Sequence, residues 1–332
     1  LDEFIADCRK SGIVGEDSNL KIIFLALQAR GLDQLVHIAI KSSSSVGKSY
    51  MAGEVLKFFP PSAYVKVTEF TPSFLFDYTE DLAHKYLVLA EMQGFEEDDI
   101  QYQLRTFMSE GVITKGRTVK VDGGFEGQLI EKKGPIGILL TTTRDRLHPE
   151  NETRMISLSG DESNEQTRNV KHVIADRYEG KREVAPDYRR WHRLHNKIVN
   201  DKIKVIIPFA SVLADKLPDN NVRMRRDITK IFDLISTHAS LHRENRNRSE
   251  NGEVIADIKE DYAPARELLI DTISESLEIA VPEVVRETVK AVGEISAGGF
   301  DQNVTIKQLQ NKLDLSRTQV TRRVSKALRF GH

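Results

Sequence analysis

The sequence predicts an α/β protein: a parallel sheet wrapped by helices, then a helical part, then a small basic end. Three observations carry this. Short apolar runs of strand length recur at Leu35–Ile40, Tyr64–Val67, Lys85–Ala90 and Ile136–Thr143. Each is separated from the next by a stretch long enough for a helix, which is the pattern of parallel strands joined by crossovers. After Pro208 the strand texture gives way to helical periodicity through about Arg243.

The 332 residues leave room for more than one domain. Apolar residues make up 39% and charged residues 30%, the balance of an ordinary soluble globular chain. No apolar run approaches the roughly 18–20 residues that span a bilayer, and the N-terminus has no signal-peptide pattern. Cys8 is the sole cysteine, which excludes an intrachain disulfide and a cysteine-rich zinc site. These features fit a reducing cytoplasm and no membrane partner. Leu1 in place of Met predicts a piece of a longer protein. The net charge of −2 argues against a wholly basic nucleic-acid coat, but local distribution outweighs the total. Thr305 to His332 holds seven Lys or Arg and one Asp.

Leu1 to Arg30 reads as helical. A helix is expected from about Lys48 to Phe59, ended by Pro60 and Pro61, and another over Asp98 to Ser109. Arg117–Val121 and Gln128–Lys132 flank Asp122-Gly123-Gly124, a hairpin signal. Arg243 to Glu253 is polar and reads as an exposed connector. Arg182, Arg189, Arg190 and Arg193 surround Trp191, and a solvated or subunit-facing helix accounts for them.

Ser42-Ser43-Ser44-Ser45-Val46-Gly47-Lys48-Ser49 follows an expected strand and opens an expected helix. This is the context of a phosphate-binding loop, in which backbone N–H groups and the helix N-terminus hold phosphates. Lys48 would reach the β- and γ-phosphates and Ser49 would ligate Mg²⁺. Ser42 stands where glycine is usual. The plain alternative is a serine-rich surface loop. A carboxylate is then needed at a neighbouring strand end. Glu91 falls at the place of a water-polarising base, and Ala90 at the place of the usual metal-binding Asp; in another register Glu91 is itself the metal carboxylate. Thr143, with Thr142 next, ends the strand from Ile136 and is placed to sense a γ-phosphate or position the water. Solvated strand-end residues are the plain reading of both.

Lys85–Asp99, followed by Leu104-Arg105-Thr106-Phe107-Met108-Ser109-Glu110-Gly111, resembles the MCM-type AAA+ helicases, from the acidic strand into the helix before the pre-sensor hairpin. Glu152-Thr153-Arg154-Met155-Ile156-Ser157-Leu158 is similar to their arginine-finger segment, and Arg226–Phe232 to their lid helix with the sensor-two arginine. The resemblance covers roughly Leu35 to His242 and departs at Ser42 and Ala90. It is closest to MCM-like ATPases of phages and mobile elements, often fused to primase modules. It implies an AAA+ P-loop core with a helical lid, binding ATP and Mg²⁺ at the subunit interfaces of a ring, usually a homo-hexamer. Arg154 would act in trans on the γ-phosphate, and Arg226 is preferred to Arg223 and Arg225 as the sensor. An ion pair with Glu150 or Glu152 is the plain alternative for Arg154. The hairpin, about 115–133, would grip single-stranded or forked DNA, with Lys120 as the contact, among Arg117, Lys132 and Lys133.

Thr305–Leu313, the turn Asp314-Leu315-Ser316 and Arg317–Arg329 fit a helix-turn-helix. Val320, Val324 and Leu328 form its apolar face; Arg317, Gln319, Arg322, Arg323 and Lys326 are candidate DNA contacts. The expected organisation is therefore an N-terminal helical segment 1–34, a core 35–200, a lid 201–248, a linker 249–262, and a helix-turn-helix or winged-helix domain 263–332. The functional expectation is an ATP-dependent helicase motor for DNA replication. The alternatives are an ATP-gated DNA-binding initiator or adaptor with weak hydrolysis, which Ala90 favours, and a transcriptional regulator.

Overall fold

A computed structural model describes residues 1–42, 47–90, 98–122, 124–143, 147–181, 185–219, 222–280, 283–296 and 304–329. The strands are β1 (His37–Lys41), β2 (Tyr64–Val67), β3 (Tyr86–Leu89), β4 (Val112–Val121), β5 (Gly124–Lys133), β6 (Gly137–Thr142), β7 (Met155–Ser159), β8 (Val205–Ile206) and β9 (Val254–Ile255). The helices are α1 (Asp2–Lys10), α2 (Asp17–Gln28), α3 (Lys48–Leu56), α4 (Phe74–Asp77), α5 (Asp98–Glu110), α6 (Pro149–Glu152), α7 (Asn164–Tyr178), α8 (Tyr188–Asp201), α9 (Ala210–Lys216), α10 (Met224–Leu241), α11 (Ala263–Ala280), α12 (Glu283–Ser296), α13 (Ile306–Leu313) and α14 (Arg317–Arg329). The chain forms two compact units, one of Leu1–Ser211 with Arg226–Thr272, the other of Val212–Arg225 with Ile273–His332.

The first unit is built on a five-stranded parallel sheet in the order β2-β3-β6-β1-β7. It is an α/β architecture compatible with a Rossmann-like or P-loop fold. β1, β3 and β6 are buried throughout, which is why they read as unbroken apolar runs rather than alternating ones. From β1 the chain moves toward β2, whereas from β6 it crosses β1 to reach β7. Adjacent strands β1 and β6 thus send their connections in opposite directions, and ligands bind such sheets at the carboxyl ends of strands at this kind of switch.

Tyr86 pairs with Gly137 across β3 and β6. A Cβ on Gly137 would lie 2.3 Å from the Tyr86 ring, so only glycine admits the ring here. The Tyr86 hydroxyl is held between the carbonyls of Ala26 and Val36. β4 and β5 form the expected hairpin, longer than the sequence indicated, with Ile113 paired to Lys132 and Lys120 to Phe125.

The structure corrects several expectations. Leu1–Arg30 is two helices, broken where Gly12, Gly15 and Glu16 take positive φ. β7 was not expected as a strand; Ser157 and Ser159 interrupt its apolar run. The polar stretch Arg243–Glu253 is mostly exposed, as its composition predicts, but it is anchored at Arg243 and Arg246, and the segment beyond it joins the first unit. Arg243 is buried and paired with Asp201 at 2.6 Å, β9 pairs with β8, and Asp261 is fully buried. Asp261 accepts from His238 at 2.8 Å and from Arg246 at 2.8 and 2.9 Å. Burial would raise its pKa, but these bonds outweigh burial and hold it at about 2. α8 buries Trp191 against Phe4, Phe24 and Phe58, with ring centroids 5.6 to 6.0 Å apart, and leaves its arginines outward.

In the second unit, α12, α13 and α14 pack around Ala291, Leu309 and Val320. Thr305 and Gln308 form a capping box on α13, and Asp314 ends that helix in the left-handed region. Leu328 is 68% exposed, not part of the apolar face assigned to it. Among the described residues no helix is long and apolar enough to cross a membrane.

Three imidazoles of the first unit are neutral for a common reason. Burial pushes His37 down to about 4, His195 to about 3 and His242 to about 4. Unfolding restores ordinary values near 6.5, so the unfolded chain binds more protons between these limits. The stability they permit is complete above pH ~6.5 and is lost as pH falls toward 4. The urea midpoint is therefore expected to fall between pH 7.5 and 4.5, with proton uptake on unfolding. A flat midpoint over that range would refute the neutral assignments.

Candidate functional site

The turn between β1 and α3 is the chemically richest place in the first unit. Gly47 precedes α3 with φ +89°, a conformation that favours glycine. Lys48 opens the helix and is buried; its Nζ donates to the Ser42 carbonyl at 2.7 Å. The Ser42 hydroxyl is buried and has no hydrogen-bond partner among the described residues. Ser49 is exposed in the first turn. An ammonium held over a strand end, beside the unsatisfied N–H groups of a nine-residue helix, suits an anion. Ser43, Ser44, Ser45 and Val46 lie outside the described residues, as does Glu91.

A cleft of about 480 Å³ opens beside this turn. Ser42, Gly47 and Lys48 line one part of it; Ile13, Val14, Tyr50, Met51 and Val170 supply apolar wall. Its size suits a nucleotide-scale ligand. The wall missed by sequence reasoning is Gly12–Gly15, for which two glycines three apart in an otherwise helical stretch were the signal. α7 clamps this loop. Gln166 donates to the Val14 carbonyl at 2.7 Å, and Arg177 bonds the Ser11 carbonyl at 3.2 Å and the Tyr50 hydroxyl at 2.7 Å. Glu16 accepts from the Asp161 backbone at 2.6 Å, which fixes the chain after β7.

At the ends of β3 and β6 the picture is divided. Ala90 offers no carboxylate at the end of β3. Thr143 is exposed just beyond β6, whereas Thr141 and Thr142 are buried, and Thr142 lies level with Lys41 of β1. For a Mg²⁺ ion, Ser49 is the described donor at the loop; among the described residues no group of three or more His, Cys, Asp or Glu is arranged to hold a metal.

The two arginines singled out from the sequence come together, and neither lines the Lys48 cleft. Arg154 donates through Nε to Ser109 Oγ at 2.5 Å and through its guanidinium to the Glu150 carbonyl. Arg226 donates to Thr153 Oγ1 at 2.6 Å. Burial and then the nearby Arg226 lower the Arg154 pKa, and Arg105, paired with the Glu150 carboxylate, stands beside them. Lys230 holds the carbonyls of Thr153 and Met155, each at 2.9 Å. Glu152 is not the partner of Arg154; it pairs with Lys41.

On the hairpin, Lys120 and Phe125 are cross-strand partners, and Leu129 follows on the same face. Phe125 is 77% and Leu129 71% exposed. The opposite face meets the body of the unit: Ile113 is buried, Lys115 lies over the Phe76 ring and Arg117 near Asp77. In the second unit Arg317 and Arg322 are exposed. Arg323 pairs with Glu287 at 2.8 Å, and Gln319 caps α14 by accepting from Ser316 N and Oγ at 3.0 and 2.8 Å. The side chain of Lys326 lies outside the described residues.

No family model matches the chain, and no curated protein matches it.

Gly12 and Gly15 are expected to be intolerant. A Cβ would lie 2.2 Å from Arg177 at Gly12 and 2.2 Å from Gln166 at Gly15, on backbone with φ of +81° and +66°. Gly12→Ala and Gly15→Ala should each lower stability by about 1–3 kcal/mol through strain. Urea denaturation checks this, and wild-type midpoints in both would refute the clamp.

Proposed function

We propose that the chain is the ATP-hydrolysing motor segment of a DNA-replication helicase of the MCM-like AAA+ type. The observation that carries the reading is Lys48 at the head of α3, behind a left-handed Gly47, at the switch point of the parallel sheet. The hairpin inserted between β3 and β6 supports it, since the resemblance implies one at that point.

ATP with Mg²⁺ would supply the phosphoanhydride that is cleaved. Lys48, the loop Ser42–Ser49 and the start of α3 would bind its phosphates, with Ser49 toward the metal. Ile13, Val14 and Val170 would cover the base. Glu91 would orient the attacking water and Thr143 would sense the γ-phosphate. The pairing of Arg154 with Arg226 away from the Lys48 cleft suits residues offered to a neighbouring subunit's phosphate, as in a homo-hexameric ring. DNA would meet the outward hairpin face, where Lys120 supplies charge and Phe125 a surface for a base. Arg317, Arg322, Arg323 and Lys326 would meet it in a helix-turn-helix or winged-helix domain. A primase module fused or partnered to the chain fits this role.

Ala90 favours a second reading, an ATP-gated initiator or adaptor that binds nucleotide and turns it over slowly. DNA-stimulated ATPase with strand displacement separates the two.

Lys48→Ala is expected to abolish hydrolysis, and Glu91→Gln to remove turnover while leaving nucleotide binding intact. Arg154→Ala mixed with Lys48→Ala should recover part of the ATPase rate, because some interfaces then combine an intact lysine with an intact arginine. Native turnover in Lys48→Ala would end the phosphate-loop assignment; no recovery under subunit exchange would end the trans role.

On DNA, deleting Thr305–His332 should weaken binding and flatten its salt dependence by roughly 0.7–0.9 in slope for each phosphate that is no longer neutralised. Basal ATPase should persist. Lys120→Ala and Phe125→Ala should instead slow unwinding more than they weaken binding. Salt titrations alongside unwinding rates test this: an unchanged slope removes the tail from the DNA interface, and normal unwinding removes the hairpin.

A further inference from the structure

Lys41 and Glu152 form an ion pair whose side chains are only 8% and 7% exposed. A buried ion pair is seldom better for stability than apolar side chains of the same volume, so stability alone is a weak account of it. Its position supplies another. Lys41 ends β1 and is bonded covalently to Ser42, whose carbonyl receives Lys48 Nζ at 2.7 Å. Glu152 ends α6, and its second oxygen accepts from Leu147 N at 3.3 Å. The next residue, Thr153, accepts Arg226 on its hydroxyl and Lys230 on its carbonyl. Arg154 follows directly. β1–β7 pairing begins only at Met155, so the Lys41 bond ties α6 itself to the strand that feeds the phosphate loop.

We propose that Lys41 and Glu152 are positioning residues that fix Arg154 and Arg226 relative to the Lys48 loop of the same subunit. The phosphate site of a subunit and the arginines it presents to its neighbour then move as one body. The inference rests on the reading above, in which Lys48 and Arg154 serve ATP hydrolysis around a ring.

The test is the double variant Lys41→Met/Glu152→Met, which leaves no lone buried charge. Melting temperature, affinity for a fluorescent ATP analogue and steady-state ATPase are measured on the full chain. The double variant should melt close to the native chain and bind the analogue within about threefold, yet turn over at least about tenfold more slowly, a split that marks loss in the reacting state rather than in binding. Adding Arg154→Ala should cost far less in this background than in the native one, because residues acting through one another are not additive. Lys41→Arg keeps the pair and should keep most of the turnover. If the double variant does not fold, Lys41→Gln/Glu152→Gln, which also leaves no buried charge and can keep a hydrogen bond, takes its place in the same comparisons. Turnover within about threefold of native, or an Arg154→Ala effect of equal size in both backgrounds, overturns the proposal. A native chain that neither binds nor hydrolyses ATP overturns the underlying reading instead.

Discussion

β1 is hydrogen-bonded along both edges and covered on both faces, so every polar group it carries must be satisfied inside the sheet layer. Two such groups sit at its ends. His37 stays neutral, its Nδ1 accepting the Ile138 backbone N–H at 3.2 Å. Lys41 stays buried because Glu152 meets it. These two solutions set the surroundings of the strand: the first ties it to β6, the second ties it to the end of α6. The turn that follows inherits a fixed starting point, and Lys48 is aimed from there.

The rest of the first unit is arranged around that fixed end. The loop Gly12–Gly15 approaches it from one side, held by Gln166 and Arg177 of α7. The cluster of Arg105, Arg154 and Arg226 forms elsewhere, on the junction of α6 with β7 and the start of α10. Like charges gathered in this way repel, and here they are held by carbonyls, the Thr153 and Ser109 hydroxyls and the Glu150 carboxylate. A cationic cluster so supported has residual capacity for an external anion. Within the proposed ring, the separation of this cluster from the Lys48 cleft makes each subunit both a holder of nucleotide and a donor of charge.

The described core of the second unit is small, gathered around Ala291, Leu309 and Val320. Capping boxes open both α13 and α14, and surface pairs such as Lys312–Glu294 and Arg323–Glu287 brace the helices. Exposed pairs of this kind contribute little each. The basic residues that remain exposed, Arg317 and Arg322 among them, belong to α14, the helix proposed to lie against DNA.

The sequence by itself determined what depends on near neighbours. β1, β3 and β6 were legible because a strand buried on both faces is a bare apolar run, and β2, only partly buried, from the β-branched and aromatic residues of Tyr64–Val67. The hairpin was legible from Asp122-Gly123-Gly124, and the start of α3 from Gly-Lys-Ser after a strand-length apolar run. Helices α13 and α14 were legible from the turn Asp314-Leu315-Ser316 between them and from the apolar spacing of the second. β7 was not, because its serines break the apolar run and it becomes a strand only by pairing with β1. Nor was the anchoring of Arg243 and Arg246 within an otherwise exposed stretch, because Asp201 and the buried Asp261 meet them only in the fold. The company of each charge was likewise decided by tertiary structure. Arg154 lies 45 residues from Ser109 and 72 from Arg226, and Lys41 lies 111 from Glu152. Whether a lysine is a solvated surface group or half of a buried pair depends on what the fold brings opposite it, and local sequence carries no record of that.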